Sequence, residues 1–487
     1  MMKKGIINML AVLLALSVSS CNDWLKLEPQ NDITVEDFWK SKTDIRTALN
    51  SGYIQLRSQV NTLFLWGDIR SDFVVQGPSD EDFSTPYYRI LNLEILDNNE
   101  VLKWGGIYKV VNYANTVIKY APDVRKTDLS LTKKELNAFL AEAYFQRALS
   151  YFYLVRTFKE VPLYLEPTDT DDVDIFLEKS DEETVLAQIR QDLEWAERYA
   201  PRGFDTGLEY NKGFATKAAV QALLADVYLW SEMYAECKVM CDKIINRSTF
   251  ALMERDQWSR IFEEGNTHES IFEIQFDKGK NQQHNLYKLF GGSNGSNFFD
   301  PSFLVSPQVE DLYDANDIRG DLTIIDNSAQ GSGLWVGKFY GGGKFSDRDA
   351  NWIVYRYADI LLMKAEALVH MGDFFAAQKE LNKVRKRAGL GPKILAGDRN
   401  DAEDAILEER GLEFAFEGKR WFDLLRVGKR NNFERKSKLI SVLTARVEPT
   451  EIPKWQSLLS DPMSLYLPIH IDELRSNLNL KQNPYYE

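Results

Sequence analysis

"TKAAVQALLADVYLWSEMYAECKVMCDKII" (216–245) and "ADILLMKAEALVHMGDFFAAQKELNKVRKRAG" (358–389) follow one pattern. A displacement of 140 residues brings Ala225 onto Ala365, Tyr228 onto Leu368, Tyr234 onto Phe374, Cys237 onto Ala377, Cys241 onto Leu381 and Ile244 onto Val384. Each copy holds two runs with apolar residues at helical spacing, and in the second copy Gly372 separates them. Two helices that cross closely need a small side chain at the crossing, which Cys237 and Ala377 supply.

This is the pattern of the tetratricopeptide helix–turn–helix. The stretch "NAFLAEAYFQRALSYFYLVRTF" (137–158), with Ala148 and Tyr151, resembles the first half of another copy. "WGGIYKVVNYANTVIKY" (104–120) sets Ile107, Val111, Ala114 and Ile118 on one face, as half of a third copy would, and "SDEETVLAQIRQDLEWAERY" (180–199) is a further helical run. A single repeat cannot bury its own apolar face, so such units stack. The expected fold class is mainly α: a tetratricopeptide-like right-handed scaffold with helices over approximately 100–160, 180–246 and 358–427. An insertion at 247–357 interrupts it. Turn signals "GGSNGSN" (291–297), "GSG" (331–333) and "GGG" (341–343), with β-like runs "SIFEIQF" (270–276) and "WIVYRY" (352–357), predict loops and short strands there. Segments 66–100 and 428–465 are irregular as well. Insertions of this kind usually carry the binding surface of a repeat protein.

The amino end, "MMKKGIINMLAVLLALSVSSC", has two lysines, an apolar block and small residues before Cys21. That is the layout of a bacterial secretory signal over residues 1–20. The apolar block is shorter than the roughly 20 residues a spanning helix needs. The Ser-Ser-Cys ending is similar to a lipoprotein box, which makes Cys21 the expected lipidation site, and two or more acyl chains hold a protein stably to a bilayer. The plainer alternative is a cleaved secretory peptide that leaves Cys21 as a free thiol. The remaining thiols, Cys237 and Cys241, are four apart on a helix, too far for the geometry of a disulfide, and are expected as core residues. A formal charge of −14 without a dense basic stripe argues against a nucleic-acid partner.

Catalytic signatures are absent: there is no G-x-S-x-G and no H-E-x-x-H, and the four histidines are isolated. No catalytic residue, metal site or cofactor is expected. In "EERGLEFAFEGKRWFDLLR", Arg410, Glu413, Glu417 and Arg420 fall on one face if the helix is continuous, where they would pair with each other rather than do chemistry. The acidic run "TDTDDVDIF" has Asp174 where a calcium loop needs glycine, and reads as a solvated loop. Asp359 reads as a helix cap or first-turn acid.

Four separated blocks together resemble the RagB/SusD family of outer-membrane nutrient-binding lipoproteins. They are "CNDWLKLEPQNDITVEDFW" from Cys21, "AEAYFQRALSYFYLVRTFKEVPLY" (141–164), "YRYADILLMKAEAL" (355–368) with "ILEERGLEFAFEGKRWFDLLR" (406–426), and "YLPIHIDELRSNLNLKQNPYY" (466–486). The ending "QNPYY" departs from the family, which commonly has Gly after the Pro. The resemblance implies a single domain over 21–487, tethered by lipid at the cell exterior. It also implies a SusC-like TonB-dependent transporter as partner, and a glycan ligand or, in some branches, a peptide.

A sugar offers apolar faces and hydroxyl edges, so its site needs aromatic platforms with planar polar groups beside them. The irregular segments hold both types. "LFLWGDIRSDF" and "TPYYRI" offer Trp66, Asp72, Tyr87, Tyr88 and Arg89. "NLYKLFGGSNGSNFFDP" offers Tyr287, Asn297, Phe298 and Phe299, and "SGLWVGKFYGGG" offers Trp335 and Tyr340. Family sites lie in corresponding regions, so these eleven are the candidate ligand contacts; core packing is the competing role of each aromatic. Trp104, Trp352 and Trp421 sit in scaffold motifs and are expected in the core. A surface glycoside hydrolase is the alternative from another class, because a carboxylate pair is set in space and not by spacing.

Overall fold

A computed structural model describes residues 38–78, 81–168, 174–204, 207–293, 298–328, 333–339, 349–395 and 397–487. The lipidation site Cys21 and the signal segment 1–20 lie outside these residues. The helices that build the scaffold are α1 (Lys42–Ser58), α2 (Val60–Asp68), α3 (Glu81–Leu91), α4 (Gly105–Thr127), α5 (Lys133–Phe158), α6 (Glu182–Tyr199), α7 (Leu208–Gly213), α8 (Lys217–Trp230) and α9 (Tyr234–Ile245). After the insertion come α10 (Tyr357–His370), α11 (Phe374–Ala388), α12 (Arg399–Phe414) and α13 (Arg420–Phe433). Short strands are β1 (Val74–Gln76), β2 (Ser270–Ile274), β3 (Phe303–Val305), β4 (Ile324–Asp326), β5 (Leu334–Val336) and β6 (Trp352–Arg356).

Neighbouring helices pack in succession, α1 on α4, α4 on α5, α5 on α6, α6 on α8, α8 on α9, α9 on α10 and α10 on α11 and α12. The mainly α, tetratricopeptide-like scaffold read from the repeats is thus the fold. The two copies close their turns with the same bond: Met233 N–H donates to Tyr228 O at 2.8 Å, and Asp373 N–H to Leu368 O at 2.9 Å. Both turns need one left-handed residue, which is Gly372 (φ 81°) in one copy and Glu232 (φ 59°) at the same offset in the other. Cys237 and Ala377 are fully buried at the crossings, and Cys237 and Cys241 are free thiols. Trp104, Trp352 and Trp421 are buried, as their motifs predict.

A second, charged core fastens the insertion to this scaffold. The buried guanidinium of Arg356 on β6 donates to Glu269 Oε1 (2.8 Å), to both oxygens of Glu417 (3.1 and 2.9 Å) and to the carboxylate of Glu413. Glu413 on α12 also accepts from Arg319 (2.8 Å) and from Arg387 on α11, and Lys338 Nζ lies 2.8 Å from Glu417. The four residues expected to pair with each other therefore do not. The helix ends at Phe414, and Phe416 (φ 64°) and Gly418 (φ 72°) turn the chain before α13 begins. Glu413 and Glu417 meet the bases of the insertion and β6, while Arg410 pairs with Asp423 at 2.9 Å.

Burial alone would raise the Glu417 carboxyl, but Arg356 and Lys338 outweigh it and hold it down at about 2. Glu413 is lowered in the same way, with burial opposed by Arg387, Arg356 and Arg319. A carboxyl depressed in the folded state contributes stability above its unfolded value of 4.5 and loses it as the pH falls towards 2. The expected result is a urea midpoint that falls steeply between about pH 5 and 2. Glu417→Gln should start lower and show a shallower fall, and an unchanged slope would remove Glu417 from the acid response.

Candidate functional site

Three stretches far apart in sequence meet in one thin layer. β1 runs antiparallel to β3, with Val74 opposite Val305, Val75 opposite Leu304 and Gln76 opposite Phe303. β4 and β5 form a second ribbon, with Ile325 opposite Trp335, and β5 packs against β3. Glycine permits the close approach at two corners. Gly291 (φ 85°) and Gly333 (φ 72°) adopt left-handed backbone, and a Cβ there would stand 3.0 Å from the Trp335 ring and from Leu304 respectively.

Helix α3 lies over this layer. The Tyr87 ring is half-buried with its centroid 5.3 Å from that of Phe303, and the Tyr88 hydroxyl donates to Gly77 O at 2.9 Å. Arg446 closes the edge from the carboxyl-terminal segment, donating to Val74 O (2.5 Å) and Leu91 O (3.1 Å). Burial lowers its guanidinium to about 10, so it stays charged at neutral pH. A hollow of about 120 Å³ beside it is lined by Gln76, Asn92 and Trp455 among others. Gln76 and Asn92 are exposed there; Arg89 on α3 is exposed as well, and its side chain has no partner among the described residues.

The predicted contacts take different roles in the structure. Trp66 is a correction: it is fully buried, donates its indole N–H to Val101 O at 2.8 Å and meets Phe158 edge-on at 5.3 Å, so it is a core pillar. Asp72 is another. Both its oxygens are taken by Arg420, at 2.8 and 2.9 Å, and it fixes α13 to the start of the layer. Trp335 is 5% exposed and serves as the surface on which Gly291 rests. The Tyr88 hydroxyl is committed to the backbone. Tyr87 and Arg89 retain surface that a ligand can reach. Asn297 and Tyr340 lie outside the described residues, and of Tyr287, Phe298 and Phe299 only the backbone is described.

Gln76, Asn92 and Arg446 are the polar groups that the sequence reading missed. Gln76 lies in the stretch that follows Asp72, but no spacing marks Arg446, which reaches the layer from over 350 residues away. The layer and α3 offer an exposed guanidinium, two planar amides at the hollow and a half-buried ring against Phe303. Such groups form paired hydrogen bonds and stacking contacts. Among the described residues no cluster of three metal-binding side chains occurs, and no helix is long and apolar enough to cross a membrane.

A model described as "SusD family" matches residues 310–486, and one described as "Starch-binding associating with outer membrane" matches residues 23–229. The chain belongs to the SusD/RagB family. Its similarity to other SusD-like proteins runs along most of its length. SusD-like protein P38 of Formosa agariphila is 28% identical over 473 residues, covering 86% of this chain and 90% of that one. The surface glycan-binding protein A of Bacteroides uniformis shares the fold with a TM-score of 0.77 at 23% identity, over 91% of this chain and 100% of the other. Surface glycan-binding protein A of Bacteroides thetaiotaomicron, solved in complex with laminarihexaose, has a TM-score of 0.74 at 23% identity, over 91% and 99%. The SusD fold accounts for the helical scaffold.

Proposed function

We propose that this SusD-family protein, held by lipid on Cys21 at the cell exterior, binds oligosaccharide on the loop-built layer. It passes the ligand to a SusC-like TonB-dependent transporter and does no chemistry on it. The observation that carries this reading is the meeting of residues 74–76, 303–305 and 334–336 in one layer, with the planar groups of Gln76 and Asn92 exposed at its hollow. The glycan complex of the structurally similar Bacteroides thetaiotaomicron protein supports it. Tyr87 supplies the ring, and Arg89, Gln76 and Asn92 meet hydroxyls.

Calorimetry over a panel of neutral polysaccharides tests the ligand class. Arg89→Ala is expected to weaken binding about tenfold, since a hydrogen bond to a charged group is worth about 1.5 kcal/mol or more. Undiminished affinity in both Arg89→Ala and Tyr87→Ala removes the layer as the site. Binding of oligopeptide with no polysaccharide bound turns the reading to the peptide branch of the family. Cys21→Ser should release the protein from the membrane fraction, and failure to co-purify a transporter with the wild type counts against the delivery step.

A further inference from the structure

On other elements, away from every residue that lines the hollow of the layer, lies a larger cleft. It has a volume of about 570 Å³, within the ordinary range of ligand sites, and is walled by α1, α7 and the turn that follows β2. We propose that this cleft is a second carbohydrate-binding site, for a neutral oligosaccharide. It shares a ligand class with the proposed function but neither its residues nor its test.

The wall from α7 is aromatic. Tyr210, 41% exposed, stacks on Phe214 with centroids 5.5 Å apart and planes at 20°, and Phe214 meets Tyr53 edge-on at 4.8 Å. The tyrosine ring is thus held flat by a second ring behind it, as a stacking platform for a sugar face must be. The opposite wall is a fixed amide frame. Asn266 and Gln275 exchange two hydrogen bonds, both 2.9 Å, and Asn351 donates to buried Glu273 at 2.8 Å while accepting from Phe276 N–H at 2.9 Å.

Against this frame stand polar groups with nothing to bond to. The Arg57 guanidinium is half-buried and has no partner among the described residues, and neither has the Gln282 amide. Asn50 Oδ1 is out of solvent and likewise lacks a donor there. A buried acceptor is nearly always paired, so Asn50 Oδ1 marks a place for an occupant that brings a donor, and the partly exposed Arg57 and Gln282 beside it can meet that occupant's acceptors and donors. Hydroxyl groups do. The charge excludes phosphate or sulfate, because five carboxylates and two bases line the cleft and one of those bases, Lys280, is paired with Asp277 at 2.9 Å.

The test follows amide hydrogen exchange of the mature, lipidated protein in detergent. The probes are laminarihexaose, maltohexaose, cellohexaose, xylohexaose and mannohexaose, each at millimolar concentration, with a lysine-rich decapeptide as the competing class. At least one hexasaccharide is expected to slow exchange over 208–214 and 276–282 fivefold or more. Tyr210→Ala combined with Gln282→Ala should abolish that protection, and Arg57→Gln should weaken it while keeping the helix packed. Arg89→Ala should leave it untouched. The proposal is overturned if no hexasaccharide protects the cleft, if protection survives the double substitution, or if only the decapeptide protects it. Protection of the cleft with no hexasaccharide slowing exchange over 74–76 and 87–92 would sink the proposed layer site and spare this one.

Discussion

Glu413→Ala is expected to bring the protein to the edge of unfolding at 37 °C. Its carboxylate is the shared acceptor of Arg319, Arg356 and Arg387, all of them buried. Removing one partner of a buried ion pair costs about 3–5 kcal/mol, because the charges left behind are desolvated and unpaired. Three guanidiniums are affected at once, although Arg356 keeps Glu417 and Glu269, Arg387 keeps Glu269 and Arg319 keeps Asp317 and Glu409. Total stability of a native protein is only about 5–15 kcal/mol, so the loss takes a large share. Glu413→Gln keeps the volume and some of the acceptor capacity and should fall between. Thermal melts with urea midpoints check the order, wild type above Gln above Ala. A Glu413→Ala midpoint within error of wild type would show that the network does not hold the insertion. Arg319 and Lys338 both belong to the insertion, so its attachment should fail before the helical scaffold does, and ligand binding at the layer should fall at temperatures where most helicity remains.

The helical scaffold was legible because it is written locally. The 140-residue offset predicts which side chains cross, and even the left-handed turn residue recurs at that offset, as Gly372 and Glu232. The charged core was illegible for the opposite reason. A continuous helix through 406–426 would pair Arg410 with Glu413 and Glu417 with Arg420; two left-handed residues, Phe416 and Gly418, break it and send each charge to a different element. Nothing in the spacing of those charges announces that break. Several candidate contacts lie on segments that meet in one layer, but most of the described side chains are spent on structure. Asp72 and Arg420 are 348 residues apart, and their pairing leaves no trace in either stretch. The cleft was invisible altogether, since Asn50, Tyr210 and Gln282 belong to the first scaffold helix, a short linker helix and a turn that no common motif joins.

Trp66→Ala is expected to act on stability and not on ligand contact. Deleting a large buried aromatic costs about 3–5 kcal/mol. Here it also strips Val101 O of the donor that ties α2 to the turn before α4, and removes the edge contact with Phe158. Trp66→Phe keeps most of the ring volume and loses the N–H, so it should cost less, about 1–3 kcal/mol for the orphaned acceptor. Loss of glycan binding in the alanine variant would therefore track its melting curve: weak at 37 °C and restored on cooling to where the variant is folded. Arg89→Ala should show the reverse, a melting temperature near wild type with affinity reduced at every temperature. If Trp66→Ala instead melted like wild type and bound nothing at any temperature, the indole would have to be a ligand platform after all, and the packing of α2 against residues 101–104 would be the part of the structure to give up.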